Sequence, residues 1–102
     1  MADIVKVTRA KDLRGKIINK LYLSYGEDIS LEVLRGLLRF TAYNVQEQDI
    51  KKAIYYLGGE GKRYVKLQLD EENYMDSKIW LTPAGVNLAE GDITDVGVEM
   101  HE

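Results

Sequence analysis

The chain has no cysteine, which rules out both a disulfide framework and a thiolate zinc site. Its only histidine is His101, beside the C-terminus. A His-ligated metal or a Ser–His–Asp arrangement would therefore depend on the last residues of the chain. No apolar run is long enough to span a bilayer, and the opening MADIVKVTRAKDLRGK lacks the apolar core of a signal peptide. Pro/Gly/Ser linkers, internal repeats and low-complexity tracts are missing too. The expectation is one soluble, cytoplasmic domain that needs no cofactor. Its 102 residues are 45% hydrophobic and 30% charged, enough for a single modest core.

Two stretches that imitate chemistry fail on spacing. GGEGK, Gly58 to Lys62, resembles a phosphate loop, but Tyr56 stands where the first glycine belongs and Arg63 where Ser or Thr should follow the lysine. It reads as a helix-ending turn. In DEENYMD, Asp70, Glu72, Tyr74 and Asp76 alternate as in a calcium loop, yet Met75 replaces the turn glycine and Leu81 the closing glutamate. It reads as a solvated loop, and the chain reads as a non-enzyme.

What is present is an uneven charge distribution and a series of helical patterns. Up to Leu69 there are 13 basic and 8 acidic residues; from Asp70 onward there are 1 and 9. A basic front suits a polyanion, and the opposed halves would also suit stacking of copies. Residues 1–8 alternate weakly and read as an arm or short strand. From Arg9 to Tyr25, Leu13, Ile17, Leu21 and Tyr25 form one line, with Lys16 and Lys20 sharing another face. Ser30 caps a second helix with Leu31, Leu34, Leu37 and Leu38 buried and Arg35 and Arg39 turned away. Gly36 within it marks a close helix approach. Thr41 to Tyr43 then make a short connection.

The third helix, Asn44 to the glycines at Gly58, is the centre of the reading. Asn44 caps it with Glu47 three residues on, and Ile50, Ala53, Ile54 and Leu57 form the buried stripe. Gln46, Gln48, Asp49, Lys51, Lys52, Tyr55 and Tyr56 are left on the outward face. Amides near the helix start with cations and phenols beyond them are what a major groove requires. A strand with Val65, Leu67 and Leu69 on one side follows, then the acidic turn, and a return strand from Lys78 to Leu81, in which alternation turns Trp80 outward or strand twist lets it cover the core edge. Thr82 and Pro83 open a closing helix that stops at Gly91. Residues 92–102 read as an acidic tail, mobile or docked on a partner subunit.

In this order the chain resembles a winged helix-turn-helix domain over Leu13 to Gly91: mostly helical α+β, with a three-helix core, a two-stranded wing and a short last helix. DIKKAIYYL from Asp49, running through glycines to Val65, resembles a recognition helix and its exit into the wing. IWLTPAG from Ile79 and VNLAEG from Val86 resemble the return strand and closing helix. The ending GDITDVGV is similar to that of small winged-helix proteins of phages and prophages. The resemblance implies double-stranded DNA as partner, a homodimer, and base reading from Gln46, Glu47, Gln48, Lys51 and Lys52. Tyr55, Arg35, Arg39, Lys16 and Lys20 are the further candidate contacts. The wing departs from the family's pattern: Asp70, Glu71, Glu72 and Asp76 would repel phosphate. The rival expectation is accordingly a winged-helix assembly module that meets a protein through Trp80, the acidic wing and the tail.

Overall fold

The computed structural model describes residues 3–39 and 44–100. The connection at Thr41–Tyr43 and the histidine at 101 lie outside them. The chain runs through α1 (Ile4–Leu23), β1 (Ile29–Ser30), α2 (Leu31–Leu38), α3 (Glu47–Leu57), β2 (Val65–Gln68), β3 (Lys78–Leu81) and α4 (Pro83–Ala89). Among the described residues, none of these helices is long and apolar enough to cross a membrane.

The helix ends show which local signals prevailed. Ser30 and Thr82 cap α2 and α4 as expected, accepting from the amides of Val33 at 3.1 Å and Gly85 at 3.2 Å. Asp3 caps α1, accepting from Val5 at 2.9 Å and Lys6 at 3.4 Å. The expected arm at residues 1–8 is thus, from Ile4 onward, the first two turns of α1. These turns are exposed, so no buried stripe announces them; the cap and propagation from the packed turns hold them. α1 ends at Leu23, and Gly26 at φ 103° turns the chain. Tyr25 therefore leaves the line of Leu13, Ile17 and Leu21 and is exposed.

The core is one cluster shared by all layers: Leu13, Ile17, Ile18 and Leu21 of α1, Leu31, Leu34 and Leu38 of α2, the α3 stripe, and Val65, Ile79 and Leu81 of the sheet. Leu37, expected inside, is 42% exposed, because a helix of two turns buries only one narrow stripe. Gly36 meets nothing within 4 Å among the described residues, so it does not mark a helix contact. Gly15 does that work instead. A Cβ there would overlap the carbonyl oxygen of Glu99, where the last segment crosses α1.

The sheet is antiparallel in the order β1-β3-β2. β2 and β3 form the expected hairpin, in register from Val65 opposite Leu81 to Gln68 opposite Lys78. β1 is the strand that alternation could not announce, since it has only two residues, Ile29 and Ser30, opposite Ile79 and Lys78. α4 packs back on α1, where the Tyr22 hydroxyl donates to Glu90 at 2.6 Å.

Residues 92–100 are not a loose tail. Val98 and Asp95 are buried, the two form an isolated bridge, and the Glu99 amide donates to the Lys11 carbonyl at 3.1 Å. The segment docks on its own chain because apolar Val98 joins the core and the buried carboxylate of Asp95 finds Lys62, Tyr56 and Tyr64 there.

Candidate nucleic-acid interface

α3 is fixed at its start by two polar contacts. The Gln46 amide donates to the Asp49 carboxylate at 2.9 Å, a capping arrangement two residues later than the expected Asn44–Glu47 one. Arg35 Nε donates to the Val45 carbonyl at 3.2 Å, and Val45 itself is buried. Arg35 is therefore a half-buried strut for the helix start, whereas Arg39, the C-cap of α2, is exposed. With Ile50, Ala53, Ile54 and Leu57 packed inward, Gln46, Gln48, Lys51, Lys52 and Tyr55 all reach solvent. Lys16 pairs with Asp12 at 2.8 Å. Neither Lys16 nor Lys20 lines a groove beside α3.

A groove of about 600 Å³ separates α3 from α1, bordered by Lys6, Arg9, Arg14, Asp49 and Lys52. Its charge is mainly positive. On the opposite flank a groove of about 930 Å³ lies between α3 and the sheet, with Lys51, Tyr55, Lys66, Tyr74 and Trp80 as its walls. Ile79 and Leu81 do face the core, so Trp80 is turned to the outer side of the sheet, where it is half-buried.

The acidic β2–β3 connection folds back rather than projecting. Met75 is buried in a single 3-10 turn, Tyr74–Asp76, that packs on α2. Asp70 spends its carboxylate on the amides of Glu72 and Asn73, at 3.0 and 2.9 Å. Lys51 Nζ stands 5.0 Å from the centre of the Tyr74 ring. Burial, and then the charge of Glu47, push the Tyr74 hydroxyl up from its ordinary pKa. Glu71, Glu72 and Asp76 stay in water.

Behind the α3–α1 flank is a cluster that the sequence did not disclose. The side chain of Asp95, 3% exposed, pairs with Lys62 at 2.8 Å. It also accepts from the hydroxyls of Tyr56 at 2.9 Å and Tyr64 at 2.6 Å, and from the Gly97 amide at 2.8 Å. Burial alone would raise this carboxyl, but Lys62, Tyr64, Gly97 and Tyr56 together outweigh it and hold it well below the carboxylate range. Burial and the bond to Asp95 in turn push the Tyr64 hydroxyl to about 12. Arg14 stacks 4.0 Å from the Tyr56 ring centre and donates to the Gly97 carbonyl at 3.0 Å. Val98, an apolar residue three positions after Asp95, was the available signal of an ordered segment.

Among the described residues no three His, Cys, Asp or Glu side chains are placed to hold a metal ion. No family model, curated protein or solved structure matches the chain.

Proposed function

We propose that this chain is a winged helix-turn-helix protein that binds double-stranded DNA, with α3 in a major groove. The order α1-β1-α2-α3-β2-β3-α4, with β1 joining the hairpin through β3, supports the winged-helix reading. The observation that carries the DNA reading is the outward row of α3: Gln48, Lys51, Lys52 and Tyr55 are all exposed opposite the buried stripe. Gln46 and Gln48 offer amides to base edges, while Lys51 and Lys52 meet phosphates. Lys6, across the groove from Lys52, adds a phosphate contact from α1. The acidic connection, folded back on α2, is not a phosphate clamp in this account.

Fluorescence anisotropy with a labelled random duplex tests it. Lys51→Glu combined with Lys52→Glu should abolish binding while circular dichroism and the melting curve stay as in the wild type. Unchanged affinity would remove the proposal.

A protein-association reading has a separate basis, Val33 and Leu37. They lie one turn apart on the outer side of α2 and are both exposed. It predicts a dimer in sedimentation that Leu37→Glu dissociates; a monomer at high concentration counts against it.

A further inference from the structure

The groove between α3 and β2 is more than a flank of the recognition helix. β2 is one of the two edge strands of the sheet, so among the described residues this groove runs along an unpaired edge. Its floor is apolar, Ile54 and Val65, and its walls carry three ring systems, Tyr55, Tyr74 and Trp80. Tyr55 is 86% exposed, and among the described residues neither its hydroxyl nor the Trp80 indole makes a hydrogen bond. Over Trp80 the groove continues into a second hollow of about 530 Å³, which shares Lys66 and Trp80 and is bounded by Tyr25, Glu27 and Asp28.

The result is a track of aromatic faces, Tyr55, Trp80 and Tyr25. Lys51 lies at the α3 end together with the carboxylate of Glu60, Lys66 lies opposite Trp80 where the two hollows meet, and Glu27 and Asp28 lie at the far end. Flat apolar faces beside separate ammonium groups match a nucleotide strand, whose bases stack while its phosphates take the cations. The carboxylates of Glu27 and Asp28 would repel a further phosphate, so they close the track at about one base per ring. Lys51 and Tyr55 belong both to this track and to the outward row of α3. A strand leaving a duplex held on α3 would meet the track at these two residues.

We propose that this groove holds unpaired nucleotides of a DNA strand, stacked on Tyr55 and Trp80 with their phosphates on Lys51 and Lys66. The continuity with α3 rests on the duplex reading above; the stacking does not. The preferred target is then a junction of paired and unpaired DNA rather than a blunt duplex.

Trp80 is the only tryptophan of the chain, so its fluorescence reports directly on stacking. The intact protein is titrated with a blunt duplex, the same duplex carrying a short thymidine overhang, oligothymidylate, and thymidine monophosphate. The overhang should bind about tenfold more tightly than the blunt duplex, and both it and oligothymidylate should quench Trp80. Trp80→Phe should keep the overhang preference. Trp80→Ala and Lys66→Glu should each lose it while retaining the affinity for blunt duplex. Lys66 is exposed, so its replacement keeps the result readable if the Trp80→Ala protein does not fold. No quenching by any single-stranded probe overturns the proposal, and quenching by thymidine monophosphate at the same concentrations overturns the assignment to a strand. Loss of blunt-duplex binding alone, with oligothymidylate quenching intact, contradicts the α3 reading and leaves the groove standing.

Discussion

Tyr55 and Tyr56 are consecutive on α3, yet their surroundings have little in common. Tyr56 is locked: its hydroxyl donates to Asp95, and its ring lies between Arg14 at 4.0 Å and Lys62 at 5.2 Å. Tyr55 touches water on nearly every side. The lysines divide in the same way, Lys62 in a 2.8 Å pair with Asp95 and Lys52 exposed on the outer face. One flank of the helix uses its polar groups to close the fold, and the other leaves similar groups unspent. Polar chemistry committed to stability is not available for recognition, so the unspent flank is the one on which the proposed duplex is placed.

The comparison breaks most visibly at Asp95. Asp95→Ala leaves Lys62, Tyr56 and Tyr64 without their common acceptor and should cost about 3 kcal/mol in urea unfolding. Its ionisation adds a pH dependence. The folded carboxyl titrates below its ordinary value, so its stabilisation is full at neutral pH and is lost as pH falls below about 4, where the unfolded chain takes up the proton first. Melting curves from about pH 5 to about pH 2 should fall more steeply for the wild type than for Asp95→Asn.

Gly15→Ala attacks the same flank sterically. Its Cβ meets the Glu99 carbonyl, which should cost about 2 kcal/mol and expose residues 92–100 to protease. A smaller effect sharpens the contrast between the neighbours. Tyr56→Phe should lose about 1 kcal/mol with its hydrogen bond, while Tyr55→Phe should stay within about 0.5 kcal/mol of the wild type in the same melts. Equal losses at the two positions would erase the distinction between a structural and a recognising flank.

The legible parts of this fold were those written in short-range signals. The stripe of Ile50, Ala53, Ile54 and Leu57 repeats at the helical period, and Thr82–Pro83 is a cap with its preferred first residue, so α3 and α4 could be placed from residues alone. β1 could not, because two residues carry no period. The final segment misled for a related reason. Asp95 reads as solvated charge until Tyr56, Tyr64 and Lys62 are brought to it from more than thirty positions away. Of the candidate site residues, Gln48, Lys51, Lys52 and Tyr55 are exposed because they lie away from the buried stripe of α3, and Gln46 because it is the cap at the helix start. Arg35 also anchors the Val45 carbonyl, a role that nothing local reveals. The two grooves beside α3 depend on how α1 and β2 pack on it, and no local pattern encodes that.

The central claim, that the outer face of α3 meets the phosphates of a duplex, is tested most directly by the salt dependence of binding. The logarithm of the association constant for a random duplex should fall linearly with the logarithm of salt concentration. Replacing Lys51 and Lys52 by Gln should reduce that slope by about 2. A slope near zero in the wild type, or the same slope in both proteins, would contradict the account.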